Sequence, residues 1–403
     1  MPVLHNIAQL ATCPRGNPQN DAGLIANAAI AWEEDIIRWV GHAPDLPPEF
    51  RNEPSIDCEQ RLVIPGLIDC HTHLCFGGWR GDEFALRIAG ATYQEIAEAG
   101  GGINSTVTAT RAASLGQLRR KAATILDRML ELGITTVECK SGYGLDLANE
   151  LKQLEVYRQL NQAHVVDLIP TFLGAHVVPK EHTGSRDRYI DLLCNELIPM
   201  IARENLALFC DAFIEDGAFT GSEARRILSC AASHGLGIKI HADQLSTGGG
   251  AELAAELRAV SAEHLEYISD EGIEALAQSG TVAVSLPLAS CYLDEAYIPA
   301  RKLISAGVPV AVATDFNPGS APSFHLPLAM TLACIHQRMT PEEVLNGVTT
   351  VAARAVCADD RIGSLLPGFR ADLALIDAPS LNHWLYHFVP NACLKVLKNG
   401  KWI

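Results

Sequence analysis

The stretch Ile64-Pro65-Gly66-Leu67-Ile68-Asp69-Cys70-His71-Thr72-His73 is a short apolar run that ends in two histidines one residue apart. Residues two apart on a strand share a face, so His71 and His73 project together. They do so where the run gives way to the loop Gly77-Gly78-Trp79-Arg80-Gly81. Two imidazoles side by side at a strand end can hold one divalent metal ion, whereas a pair of surface histidines without a ligand is the other reading of this motif taken alone. Cys70 falls on the opposite face by the same alternation and is read as packing.

The elements that must position these residues follow from the rhythm of the chain. Residues 1–64 carry short β-type pieces, Ala28–Trp32, Ile36–Val40 and Arg61–Ile64, separated by turn-rich segments such as Pro44-Asp45-Leu46-Pro47-Pro48. From residue 65 to 362 the pattern becomes strand, loop, helix, repeated. Apolar β-rich runs lie at Gly66–Cys70, Ile134–Cys139, Asp167–Leu173, Leu206–Ile214, Gly237–Ile240, Val260–Ala262, Thr281–Leu286 and Val308–Ala313. Helical patterns intervene at Leu115–Leu132, Leu147–Leu160, Arg188–Arg203, Gly221–His234 and Asp270–Gln278, and Gly133, Gly235, Gly280 and Gly307 stand where helices should stop. Eight strands alternating with helices over about 300 residues predict an α/β fold of the (β/α)8 TIM-barrel type. A doubly wound open sheet is the alternative, but no Gly-x-Gly-x-x-Gly fingerprint follows a first strand. Residues 363–403 return to turn and strand, with a last strand at Leu394–Leu397 and the turn Asn399-Gly400. These pieces are too short to fold alone, so both chain ends are expected to build one small β-sandwich domain beside the barrel.

Barrel active sites lie at the C-terminal ends of the strands. Strand 1 offers His71 and His73 there, strand 2 Glu138 to Gly144, strand 3 His176, and strand 5 His241 to Gln244. Strand 6 offers His264 and Glu266, and strand 8 Asp315 to Ser320. Of fourteen histidines, five fall on these strand ends, and one barrel rim would bring them together. His71, His73, His241 and Asp315 supply three imidazoles and a carboxylate, a donor set that suits one zinc or iron ion with room for a water. Such an ion lowers the pKa of its water toward about 7, and Asp315 is the natural acceptor of that proton.

Composition sets bounds on this reading. The chain has 403 residues, 48% hydrophobic and 19% charged, as expected of a soluble globular protein with a substantial core. A net charge of −16 argues against a general nucleic-acid or anionic-membrane partner. The start Met1-Pro2-Val3-Leu4-His5-Asn6 lacks the features of a secretory signal, and no apolar run is long enough to span a bilayer. Twelve scattered cysteines without a Cys-x-x-Cys pair suit reduced thiols and a cytoplasmic location.

Pro65 to His73, Asp315 on the last strand and the tail Gly363-Ser364-Leu365-Leu366-Pro367-Gly368-Phe369-Arg370-Ala371-Asp372-Leu373 resemble the metal-dependent amidohydrolase superfamily. Phe76-Gly77-Gly78-Trp79-Arg80, Gly100-Gly101-Gly102-Ile103-Asn104-Ser105-Thr106-Val107 and Lys140-Ser141-Gly142-Tyr143-Gly144-Leu145 narrow the resemblance. With His241-Ala242-Asp243-Gln244-Leu245-Ser246 and Asp315-Phe316-Asn317-Pro318-Gly319-Ser320, they are similar to the branch that opens an imidazolone ring in histidine degradation. The similarity covers nearly the whole chain.

That resemblance implies hydrolysis of the small molecule 4-imidazolone-5-propanoate to N-formimidoyl-L-glutamate, by a homodimer with one zinc or iron ion. By match to the family pattern, His71, His73, His241 and Asp315 are ligands. Arg80, Tyr143, His176, Gln244, Asn317, Gly319 and Ser320 line the substrate site on the same grounds. Arg80 offers a planar fork to the propionate, and Tyr143, His176 and Gln244 can exchange hydrogen bonds with the ring. His264 is expected to steady the developing oxyanion or the attacking water, and Asp243 to handle protons near the leaving nitrogen. Two-metal relatives usually bridge their ions with a carboxylated lysine on strand 4. Phe209-Cys210-Asp211-Ala212-Phe213-Ile214-Glu215 has none, so a single metal is expected, with Lys140 a structural or supporting cation. A related aminohydrolase acting on a nucleobase or other cyclic amidine would need no Arg80 and would release ammonia. A non-catalytic barrel would typically have lost ligands, and all four are present.

Overall fold

A computed structural model describes residues 1–91, 95 and 101–403. The chain opens with β1 (Val3–Ala11), β2 (Leu24–Glu33), β3 (Ile36–His42) and β4 (Ser55–Pro65). Eight short strands follow: β5 (Leu67–Asp69), β6 (Ile134–Lys140), β7 (Asp167–Ala175), β8 (Phe209–Phe213), β9 (Gly237–Ala242), β10 (Ser261–His264), β11 (Val282–Ser285) and β12 (Val310–Val312). Every neighbouring pair from β5 to β12 is parallel. Past their ends β12 and β5 meet again: Asp315 N donates to His71 O at 3.1 Å and His73 N to Phe316 O at 2.8 Å. This closes the sheet into the expected barrel, through the same segments that carry the proposed metal ligands.

The helices begin and end on local chemistry. Ser114 with Gln117, and Thr220 with Glu223, form reciprocal capping boxes for the helices Leu115–Glu131 and Gly221–Ser233. The first of these buries Leu118, Ala122, Ile125, Leu126, Met129 and Leu130, a single stripe at helical spacing. Gly133, Gly235, Gly280 and Gly307 all adopt the left-handed backbone conformation that ends a helix, with φ between +75° and +91°. The helix expected over Arg188–Arg203 is interrupted instead. It runs as Arg186–Leu192, a π-turn at Leu193–Leu197, and Ile198–Arg203. Pro199 has no N–H to give, so the α-helical ladder cannot pass it unbroken.

Strands β13 (Leu373–Ile376), β14 (Cys393–Lys398) and β15 (Lys401–Trp402) join β1 to β4 in a second sheet of order β15-β14-β13-β4-β1-β2-β3. The two layers expected of a sandwich are two halves of this one continuous sheet. It curls until Ile37 N on β3 bonds Phe369 O at 2.9 Å, and Trp32 Nε1 on β2 bonds Gly400 O at 3.0 Å. Leu4, Ile7, Ile30, Trp32, Val63, Leu373 and Leu397 fill the space enclosed.

The barrel and the small sheet are locked by a charged cluster. Lys398 Nζ lies 2.7 Å from Asp372 Oδ2 and 2.8 Å from Asp167 Oδ2 at the start of β7, and Arg370 reaches the same two carboxylates. Burial works to raise the Asp167 pKa, but Lys398 and Arg370 outweigh it and hold the carboxyl below its ordinary range. A carboxyl depressed in the folded state contributes stability above its unfolded pKa of about 4 and loses it as pH falls through the lower folded value. Lys398→Met should therefore lower the urea midpoint at pH 7 by the equivalent of about 2 kcal/mol, since it leaves Asp372 and Asp167 to Arg370 alone, and should weaken the loss of stability on acidification.

Candidate metal centre and active site

His71 and His73 leave the end of β5, His241 sits on β9, His264 ends β10, and Asp315 follows β12. All five are buried at the C-terminal rim of the barrel. His71 Nε2 and His73 Nε2 each lie 3.4 Å from the same oxygen, Asp315 Oδ1. The His71 and His241 rings are 4.7 Å apart between centroids, and His73 and His241 are 5.5 Å apart. Among the described residues two sets have donor atoms within 4.8 Å of one another, His71 with His73 and Asp315, and His71 with His241 and His264.

His71 Nε2, His73 Nδ1 and His241 Nε2 are buried without a hydrogen-bond partner. Buried ring nitrogens are rarely left in this state, and three beside one carboxylate fit a divalent cation with nitrogen and oxygen ligands. The electrostatics agree. Burial pushes His73 down and His241 down to about 3, so both rings are neutral with a lone pair to give. Burial and the Lys140 ammonium also push His71 down, but Glu263 and Asp315 outweigh them and leave it at about 9, so positive charge is favoured at this point. Asp315 lies well below the usual carboxylate range: burial opposes this, and the two histidines prevail.

Which nitrogen each ring presents is decided from behind. Glu263 on β10 holds His71 Nδ1, and Asp211 Oδ2 on β8 stands 3.0 Å from His241 Nδ1. Each ring is thereby turned so that Nε2 faces the centre. Glu263 and Asp211 were not among the residues singled out from the sequence. Their signal was there, as charged side chains inside apolar barrel strands, together with Glu138, Lys140 and Lys239. Lys140 has the supporting place expected of it, buried between Glu138 and Asp211 at 2.9 Å from each.

A cavity of about 440 Å³ opens above the centre, lined by His73, His241, His264 and Asp315 on its floor and by Arg80, Tyr143, His176, Gln244, Asn317, Gly319 and Ser320 on its walls. The helix Gly81–Ile88 adds Glu83 and Arg87, and Phe213, Leu245 and Glu295 also line it, none of them anticipated as site residues. Arg80 is anchored by Nε to Thr106 Oγ1 at 3.0 Å, and its guanidinium lies so close over Gly319 that a Cβ there would fall 2.5 Å from Nη2. Asn317 builds the loop beneath: its Oδ1 accepts from Gly319 N at 2.7 Å and Ser320 N at 2.8 Å. Ser320 Oγ in turn donates to Asp315 Oδ2 at 3.3 Å. His176 shares Nδ1 with Gly142 O at 3.0 Å, and burial holds its ring well below the usual pKa. Of the glycine-rich motif, Gly100 lies outside the described residues, whereas Gly102 and Ile103 line the cavity.

Asp243, expected to handle protons near the leaving nitrogen, is not among the residues that line the cavity. Its carboxylate accepts from Gly248 N at 2.8 Å, Ala251 N at 3.0 Å and Gly250 N at 3.2 Å, and so ties down the loop after β9.

A parallel barrel with a His-x-His pair, a third imidazole and a terminal-strand aspartate gathered at its rim defines a metal-dependent hydrolase. Residues 62–403 match the amidohydrolase family, to which the chain belongs. In fold it is similar to a solved adenosine deaminase from Xanthomonas campestris with bound zinc, at a TM-score of 0.71 and 19% identity over 100% of this chain and 92% of that one. Within the amidohydrolases it belongs to the imidazolonepropionases. It is 47% identical over 394 residues to the imidazolonepropionase of Symbiobacterium thermophilum, covering 96% of this chain and 93% of the relative. It is likewise 47% identical over 406 residues to that of Fusobacterium nucleatum, covering 100% and 98%. No helix among the described residues is long and apolar enough to cross a membrane.

If the carboxylates behind the rings set the ligand geometry, Asp211→Asn and Glu263→Gln should each weaken zinc binding by about 10- to 100-fold in a chelator competition, with the fold retained by circular dichroism.

Proposed function

We propose that the site hydrolyses the ring amide of 4-imidazolone-5-propanoate, giving N-formimidoyl-L-glutamate, with one zinc or iron ion held by His71, His73, His241 and Asp315. The observation that carries this reading is the pairing of two features in one cavity, a donor set for a cation on the floor and the anchored Arg80 guanidinium on the wall. A substrate that joins a hydrolysable ring to a carboxylate spans both.

The bound ion supplies the Lewis acidity that makes water nucleophilic near neutral pH. The remaining work belongs to the chain. Arg80 binds the propionate through its fork of N–H groups. His176 keeps Nε2 free for the ring, since Nδ1 is committed to Gly142 O, and Tyr143 and Gln244 bracket the amide and imine edges. Asp315, ionised and beside the centre, accepts a proton from the attacking water as oxygen adds to the ring carbonyl carbon. His264 donates to the oxyanion that develops on that carbonyl. When the carbon–nitrogen bond breaks, the proton on Asp315 passes to the released nitrogen. The carbonyl becomes a carboxylic acid, which gives up the second water proton to solvent and leaves as a carboxylate, and the nitrogen becomes the formimidoyl imine.

Purified protein loaded with zinc or iron should consume imidazolone propionate, with loss of its ultraviolet absorbance and no ammonia released. A folded, metal-loaded sample that shows no turnover, or that releases ammonia from a ring amidine instead, would contradict the reading. Because a charge-assisted pair contributes about 1.5–3 kcal/mol, Arg80→Ala should raise KM roughly 10- to 150-fold with kcat little changed. An unchanged KM would remove Arg80 from the propionate site.

A further inference from the structure

Lys140, at the end of β6, is completely buried and has no part in the steps above. Its Nζ lies 2.9 Å from Glu138 Oε1, 2.9 Å from Asp211 Oδ2 and 3.8 Å from Glu263 Oε2. Burial acts to discharge such an ammonium, but the three carboxylates outweigh it and hold the pKa above the ordinary lysine value. Each carboxylate has a second engagement. Asp211 backs His241, Glu263 backs His71 and also takes Lys239 at 3.4 Å, and Glu138 accepts from the Thr171 hydroxyl.

Three carboxylate oxygens, Glu138 Oε1, Asp211 Oδ2 and Glu263 Oε2, converge on one buried point, a donor set that divalent cations accept, and the Lys140 ammonium stands at that point.

We propose that Lys140 is a positioning residue whose ammonium occupies a cation position ringed by Glu138, Asp211 and Glu263, and so limits the centre to one metal ion. The proposal rests on the metal-centre reading of His71, His73, His241 and Asp315, and the experiment separates the two. Wild type, Lys140→Ala and Lys140→Met are stripped with chelator, reloaded with zinc, desalted and measured for zinc per chain, with anomalous diffraction locating each ion.

Wild type is expected to hold one zinc ion. Lys140→Ala vacates the ringed position and is expected to hold two, the second among the three carboxylates. Lys140→Met fills the same space without charge and is expected to stay at one. Should Lys140→Ala be unfolded when metal-free, zinc is expected to restore its thermal transition, because the ion replaces the missing ammonium. Wild type with no zinc would overturn the metal-centre reading itself. Wild type with two, Lys140→Ala with one, Lys140→Met with two, or an alanine variant that zinc cannot restore would overturn the role of Lys140.

Discussion

An imidazole can present either ring nitrogen to a ligand, and inside this barrel the carboxylate behind each ring makes the choice. Glu263 takes His71 Nδ1 and Asp211 takes His241 Nδ1, which leaves both Nε2 atoms facing the same buried point. Carboxylates so far from water need cations of their own, and Lys140 on β6 and Lys239 on β9 supply them. The interior of the barrel is therefore a chain of alternating charge running from the lysines through carboxylates to imidazoles. Its open end is the point where positive charge is still wanted. The reactivity of the rim follows from that imbalance.

The fold and the site depend on the same atoms. The backbone bonds from Asp315 to His71 and from His73 to Phe316 close the barrel, and they also fix the mutual placement of three of the proposed ligands. Beside them Asn317 organises the Gly319–Ser320 turn, which brings Ser320 to Asp315 and allows Arg80 to lie flat over Gly319. A small movement of β12 would disturb the proposed metal and substrate sites and barrel closure together. At the other end of the strands, Asp167 ties the barrel to the curled sheet through Lys398 and Arg370, so the sheet built from both chain ends braces the barrel's base.

Much of this was legible from the residues alone. Eight apolar runs, glycines at helix ends and a His-x-His pair gave the barrel and the rim, because strand alternation and helix termination are local properties. What escaped depended on distant contacts. β1 was missed because Asn6, at φ +55°, and shifts of register on both sides break the simple alternation of Val3–Ala11. The π-turn before Pro199 interrupted a helix whose apolar spacing continues across it. Asp243 looked like an acid beside a ligand, yet its left-handed backbone turns the side chain into the following loop. Glu263 and Asp211 could be seen as charges in apolar strands, but only their positions behind His71 and His241 reveal what they do.

The central claim is that this charge network leaves a place for one divalent ion at the rim. Crystals grown with zinc or iron(II) and measured at the metal's absorption edge test it most directly. The expected result is a single anomalous peak per chain, bonded to His71, His73, His241 and Asp315. No peak there, or a peak bonded to other side chains with those four free, would contradict it.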